Sequence, residues 1–590
     1  MRVFRAARTS PGRAVGVVLL GLLLFLLLLW PLVMLGVGTF RTSSPLVPGG
    51  WSADALGRVD EEATRNGALR NSAILAVLST VLGVALAVVL AFLSERTDTW
   101  LRRLIRPMVL VSVLISPAFY AIAYDLLANK YTGTLNVAAQ DLLGTDGHVV
   151  NVESWPGIVC VSSLHASAFV YLYLVGPFRA LDRTHEEASA AAGAGRWRTF
   201  SRINLPLLAP ILSSVVLIGL VSGLESFDEP LILGTPADLG FLSPRIYDLL
   251  TEHNPPRYAD ASAIALGLAL VVVLLAVVQH RVLAHRSYTI VTGKSYRTDV
   301  WHLGRARILG GAFVAAYGVL AVLLPLGSVV FASFQPFPGV VGDLSTKNYT
   351  ALFNNPEIPG VVRTTLLLAV LGGLAAASLS FLLAVLGARA GRRSGAVLRG
   401  VTLLPLAMPG VIAAIAMTWA YATVPGLREL YGTVWLLMIA VVVAVLPVTV
   451  QIASGAIAQL HRELEDAARI AGATALRALL TVTVRLLLPS LLSGWLLAAI
   501  LITGNLDAPL VLSGSGTRTV SVQTYLFFND QNQGQSAALL TLTVGAGVLL
   551  GLVAAAVRAV ARRAASRRNV PLVEPGLVAP EQPLPTGVSA

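Results

Sequence analysis

The sequence is short of charge, of cysteine and of lysine. Only 13% of its 590 residues are Asp, Glu, Lys or Arg, about half the share of an ordinary soluble domain. A soluble protein of this length would divide into several domains, each with its own charged surface, and 43 Lys+Arg with 31 Asp+Glu cannot cover them. The single cysteine, Cys160, excludes an internal disulfide and any cysteine-based metal cluster. A net charge of +12 would suit nucleic acid only on a water-facing fold with basic clusters, and the composition leaves no such fold. What is present is apolar: 55% of residues are hydrophobic and the mean hydropathy is +0.75. The chain reads as an all-α integral membrane protein, multi-pass, with the lipid bilayer as its surroundings and no nucleic-acid partner.

A helix needs about 20 apolar residues to cross a bilayer. Twelve stretches qualify, at 14–37, 72–94, 107–127, 157–178, 207–224, 261–279, 308–333, 364–387, 400–422, 433–455, 490–505 and 537–558. The first is too long for the apolar core of a signal peptide, and no small-residue cleavage site follows Trp30 and Pro31, so it is read as an uncleaved helix. With both termini cytoplasmic, the cytoplasmic segments hold 32 Lys+Arg and the outer loops 11, while acids divide 11 inside and 20 outside. That split follows the positive-inside rule.

The chain repeats itself. R-N-S-A-I-L-A-V-L from Arg70 matches R-T-T-L-L-L-A-V-L from Arg363; Pro117 matches Pro409; F-D-E-P-L-I-L from Phe227 matches L-D-A-P-L-V-L from Leu506. Six spans per repeat is an even number, so the halves lie parallel in the membrane. The expected organisation is a first six-helix half over 1–282, a cytoplasmic join at 283–307, a second half over 308–562 and a disordered cytoplasmic tail at 563–590.

Two cytoplasmic loops, around 183–206 and 462–489, occupy corresponding places. E-E-A-S-A-A-A-G from Glu186 and E-D-A-A-R-I-A-G from Glu465 pair Glu187 with Asp466, Ala188 with Ala467, Gly193 with Gly472 and Pro210 with Pro489. Alanine favours helix; Thr184 with Glu187 three residues on reads as a capping box; the glycines suit a turn at positive φ. The pattern predicts a helix, a glycine break and a second helix entering the membrane.

The spacing E-A-A, three residues, G, then I-x-L-P resembles the cytoplasmic loop of binding-protein-dependent ABC importer permeases of the type I fold. The first copy supplies Glu187, Ala188, Gly193, Ile203, Leu205 and Pro206, departing at Ser189; the second supplies Asp466, Ala467, Ala468 and Gly472, with Val482 and Val484 for Ile and Leu and Arg485 where Pro206 sits. In that family the loop docks on the ATP-hydrolysing subunit. The resemblance therefore implies a non-enzymatic permease subunit in a bacterial cytoplasmic (inner) membrane. It implies two copies of an ATPase subunit as partners, with ATP and Mg bound there and no cofactor on this chain, and an extracytoplasmic solute-binding protein. The strings at 224–238, 288–297, 505–513 and 521–525 are similar to the ferric-iron branch, which points to ferric iron as cargo; thiamine, polyamine or phosphonate permeases share the architecture. A secondary carrier without an ATPase fits twelve spans equally well, but has no reason to keep paired coupling loops; neither has a membrane scaffold.

Gly293, Lys294 and Ser295 mimic the end of a P-loop, but Tyr288 stands where its first glycine is needed. His165 is the ionisable residue well inside a span; its plainer reading is a neutral imidazole bonded to a neighbouring helix. Glu225, Asp228, Glu229 and Asp507 sit just past the fifth and eleventh spans. Solvated outer-face acids are the plainer reading. The alternative makes Glu225, Asp228, Asn505 and Asp507 substrate-path residues, their carboxylates suited to ferric iron or another cation. Pro230 and Pro509 after them predict broken helices at that level. No residue set is assigned as a resident metal site.

Overall fold

The computed structural model describes residues 11–144, 147–284, 301–339, 344–408, 410–461 and 463–568. Most of the join, with Gly293, Lys294 and Ser295, lies outside the described residues, as do Pro409, Arg462 and the tail past 568. Contacts divide the chain into a unit of residues 1–541 and a unit of 542–590.

Eight helices of the first half matter here: α1 (Val18–Thr39), α2 (Ala68–Arg96), α3 (Arg102–Leu114), α4 (Pro117–Ala128), α5 (Trp155–Ala180), α6 (Arg183–Ala191), α7 (Trp197–Glu225) and α8 (Tyr258–Ala284). Their counterparts in the second half are α9 (Ala306–Phe334), α10 (Ile358–Arg389), α11 (Arg392–Leu403), α12 (Gly410–Ala422), α13 (Val434–Ala458), α14 (Glu463–Ile470), α15 (Ala475–Gly504) and α16 (Gln533–Arg568). Among the described residues there are no strands beyond two isolated bridges. Nine helices there are long and apolar enough to cross a membrane, or ten when a pair bent by 99° counts as one span.

That bent pair is α3 and α4, and it falls on the third expected span. The break follows from Ser116-Pro117. The residue before a proline avoids the helical region, and Ser116 is extended at φ −69°, ψ 155°; its side chain accepts from Phe119 N–H while Pro117 opens the new helix. The ninth expected span is broken likewise, into α11, a tight turn at Leu404–Ala407 and α12. The twelfth falls in α16. The fifth and eleventh, the shortest in the sequence, are the later parts of α7 and α15, 29 and 30 residues long, which start in the duplicated loops. Between the third and fourth expected spans lies the helix Thr134–Leu143.

The short helices α4 and α12 are the most completely buried: residues 118–128 and 411–422 are all inaccessible. Each is covered by the other half. Trp30 on α1 donates to Ala420 O at 3.1 Å, and Trp419 on α12 donates to Ser262 on α8 at 2.9 Å. Reciprocally, Tyr120 on α4 donates to Ala321 O on α9 at 3.0 Å, and Ser328 on α9 donates to Ala123 O on α4 at 2.8 Å. The first helix of each half is thus exchanged onto the other. Helices in lipid gain little from apolar burial and associate by close approach and polar contacts. Gly223 of α7 illustrates it: a Cβ there would lie 2.6 Å from the Cα of Ala76 on α2.

Candidate functional site

Two regions bring together the residues that the sequence singles out. The first is the pair of hairpins around Gly193 and Gly472. In the first copy, α6 ends and the chain turns at Gly193, φ +77°, before α7 begins; in the second, α14 ends and the turn is at Gly472, φ +90°. An L side chain at either φ is strained, so both glycines are required by backbone and not by crowding, since nothing lies within 4 Å of a built Cβ. The cap differs from the expected box: α6 starts at Arg183, and Asp182 is its N-cap, accepting from Thr184 N–H at 3.0 Å. Thr184 is already helical because Asp182, a stronger cap, lies two residues upstream.

Arg485 in place of Pro206 does not alter the exit from the second hairpin. Both copies pass through one widened π-type turn, Phe200–Asn204 and Leu479–Val484, and continue straight into the membrane helix. Pro210 and Pro489 therefore lie inside continuous helices and not at their first turns. Glu187, Ala188, Gly193 and Pro206 are exposed, as are Asp466, Ala467 and Gly472, with Ala468 half-buried. Large apolar side chains stand free beside them: Trp197 is 78% and Ile470 89% exposed.

What fixes each hairpin is a residue that the motif reading passed over. Glu186, one place before Glu187, pairs with Arg96 at the end of α2, and Asn204 donates to the same carboxylate at 2.8 Å. Glu465 holds the equivalent place in the second copy. Arg389 at the end of α10 donates to its two oxygens at 2.7 and 2.6 Å, and Thr483 donates to it as well. Glu186 and Glu465 lie 279 residues apart, Asn204 and Thr483 also 279, and Arg96 and Arg389 lie 293 apart. These are the same offsets that the other repeats show, and they were the one signal in the sequence that could have found the latch.

The first latch has an additional partner from the end of the join. Trp301 Nε1 donates to Glu186 at 2.6 Å, and the Trp301 ring meets Phe92 edge-on at 5.5 Å. Trp301 N–H donates to Arg96 O at 2.8 Å, and Asp98 N–H donates to Trp301 O at 3.2 Å. Leu303 N–H donates to Asp98 at 3.0 Å, and this bond holds the Asp98 carboxyl below its ordinary range.

The second region lies where α7 and α15 end. The chain breaks at 226–227 and at 505–506, as Pro230 and Pro509 predict, and resumes in the short turns Pro230–Gly234 and Asp507–Leu512. Asp228 and Glu229 are not solvated outer-face groups, being 5% and 6% exposed, while Glu225 and Asp507 are half-buried. Asp228 and Asp507 are repeat mates and lie near enough for their charges to interact. Asp507 packs on Gly410, the first residue of α12, where a Cβ would lie 2.2 Å from its own. Glu225 is near enough to Asp507 for their charges to interact. His165 places Nε2 3.3 Å from Ile115 O, as a neighbouring-helix bond predicts, and also Nδ1 3.5 Å from Glu229.

The chain matches, over residues 71–286 and again over 365–566, the family described as binding-protein-dependent transport system inner membrane component. It is 25% identical over 520 residues to the ferric transport system permease protein FbpB of Actinobacillus pleuropneumoniae, covering 88% of this chain and 74% of that one. A putative ferric transport system permease of Haemophilus influenzae is 26% identical over 454 residues, 76% of this chain and 70% of the relative. The putrescine transport system permease protein PotI of Escherichia coli is 30% identical over 222 residues, 36% of this chain and 76% of its own.

Proposed function

This chain belongs to the family of inner membrane components of binding-protein-dependent transport systems, and from that premise we propose that it is a fused, two-half permease of an ATP-driven importer. Residues 1–282 and 308–562 are the two permease halves, with both termini, the join and the hairpins in the cytoplasm. One ATPase subunit docks on each hairpin, through Glu187, Ala188, Gly193 and Pro206 on one and Asp466, Ala467, Ala468 and Gly472 on the other. ATP and Mg bind on those subunits, and this chain does no covalent chemistry. An extracytoplasmic binding protein delivers the cargo, and closure of the ATPase dimer rocks the halves about a central path.

The observation that supports this most is the duplicated latch. Two hairpins, each with free apolar side chains, are tied by a glutamate to the end of a membrane helix at repeat-equivalent positions. A push on either hairpin reaches α2 or α10 through one ion pair. Ferric iron is the proposed cargo, on the long similarity to ferric permeases. The test is co-purification with the ATPase encoded for this system, followed by uptake of ⁵⁵Fe(III) into vesicles carrying the whole transporter. Gly193→Val and Gly472→Val are expected to cut ATPase capture at least about tenfold when combined, because each strains the turn by about 1–2 kcal/mol and displaces the docking face. A wild-type chain that captures no ATPase overturns the importer reading; uptake of putrescine and not iron overturns the cargo.

A further inference from the structure

The start of α10 carries a cation that has no partner among the described residues. Arg363 is exposed, and no carboxylate or carbonyl there bonds its guanidinium. Its neighbours on the same helix face, three and four places away, are Pro359, Gly360, Leu366 and Leu367, none of which can pair with a charge. The nearest acid along the chain, Glu357, is taken by Arg518 at 3.1 Å. Past Arg363 the helix has no charged residue until Arg389. Arg363 therefore marks the level at which α10 passes from polar surroundings into hydrocarbon.

Beside it lies an apolar groove of about 480 Å³, between α10 and the short helix Lys347–Asn354. Its floor is fixed: Leu352 and Ile358 are 1% and 8% exposed and belong to a packed cluster with Val520 and Phe527. Its walls are open: Phe353, Val362 and Leu366 are 72%, 38% and 57% exposed. Arg363 is the charged side chain that lines it. The volume falls in the range of small-molecule sites. An apolar trough with one free cation at its edge complements a molecule that has a hydrocarbon chain and one anionic head.

The groove is not a by-product of the repeat. At the offset of 293 that aligns Arg363 with Arg70, Phe353 maps to Asp60, Ile358 to Arg65, Pro359 to Asn66 and Asn355 to Glu62. In the first half Asp60, Arg65 and Asn66 are exposed to water. Glu62 is the centre of an ion network there, accepting from Arg245 at 2.5 Å and from Arg257 at 2.6 Å. The second half replaces the three polar groups with apolar ones and leaves its arginine alone.

We propose that this groove holds one anionic phospholipid, with its phosphate on the Arg363 guanidinium and an acyl chain along Phe353, Val362 and Leu366. An arginine fork meets phosphate oxygens through two parallel N–H···O bonds, and its stem lies on apolar surface while its head stays at the interface. A zwitterionic lipid carries a second, positive charge beside its phosphate, so the site selects a head of net negative charge. The lipid site does not depend on the importer reading.

The experiment uses the full chain purified in detergent. It is titrated with phosphatidylglycerol, or with phosphatidylcholine of the same acyl chains, and retained lipid is counted by native mass spectrometry. Wild type, Arg363→Gln, Val362→Trp and Arg70→Gln are compared. Wild type is expected to retain about fivefold more phosphatidylglycerol than phosphatidylcholine. Arg363→Gln should lose that preference, Val362→Trp should fill the groove and retain less of both lipids, and Arg70→Gln should behave as wild type. Unchanged elution volume and thermal midpoint show that the variants fold. Equal retention of the two lipids by wild type overturns the headgroup assignment. Phosphatidylglycerol retention that survives in Arg363→Gln overturns the site, and a dimer mass in place of bound lipid makes a second copy of the chain the occupant and overturns the lipid.

Discussion

The two latches share a glutamate and an arginine, with Asn204 in one where Thr483 stands in the other, yet they sit in different surroundings. In the first, the Glu186 and Arg96 side chains are 7% and 9% exposed; in the second, Glu465 and Arg389 are 22% and 41% exposed. The difference comes from the join, whose Trp301 lies over the first latch and bonds into it. A buried ion pair and a solvated one are energetically different objects even when their geometry agrees. Truncating one partner of a buried pair leaves the other charge uncompensated and costs about 3–5 kcal/mol, whereas an exposed pair is worth about 0–1 kcal/mol. The join thus does more than connect the two repeats: its Trp301 adds a hydrogen bond to one of the two ion pairs and none to the other.

The sharpest way to break this comparison is to remove each glutamate in turn. Glu186→Ala is expected to lower the apparent thermal midpoint of the purified chain strongly, in line with about 3–5 kcal/mol. Glu465→Ala is expected to lower it little, in line with less than about 1 kcal/mol. Equal shifts in differential scanning fluorimetry would show that the burial difference has no energetic meaning. Trp301→Ala comes next. It removes a hydrogen bond to a charged group, worth about 1.5–3 kcal/mol, and uncovers the first latch. Amide exchange over 183–195 should then rise to the rate seen over 463–474; exchange that stays slow would place the stiffness elsewhere. Asp98→Asn should have the smallest effect, since its carboxyl lies at the surface. Its low pKa fixes the sign: the contribution is complete above the ordinary carboxylate range and is lost only as pH falls through the lowered value. The protection of the join end, with the intrinsic pH dependence of amide exchange divided out, should therefore be flat from pH 8 to 5 in the wild type, and a change in that window would implicate another group.

Much of this was legible in the sequence. The spans follow from hydropathy, and the repeat offsets locate hairpins, turn glycines and helix breaks in both halves. The latch was not seen because its partners are 90 and 76 residues apart, and Arg96 and Arg389 are accounted for equally well by the positive-inside count. Composition likewise gave α4 and α12 as parts of spans like any other; that they are buried along nearly their whole length depends on which helix covers them, which periodicity does not report. The acids at 225–229 and 507 show the same limit. A charge tally places them on the outer side of the spans, and only packing distinguishes a solvated carboxylate from a buried one.

The exchanged first helices bear on how the protein is made. Trp30 is bonded to Ala420, 390 residues later in the chain. At about 5–20 residues per second, α1 waits roughly 20–80 s after its own synthesis before the helix it is built to pack against exists. Before that, only α8 of its own half is there to pack on it. The reciprocal contact is different: α9 emerges after α3 and α4 are already in place and docks on a finished surface. The order of translation therefore gives the first half a vulnerable period that the second half never has. Destabilising changes on α1 should be read out in the yield of inserted protein before they appear in its activity.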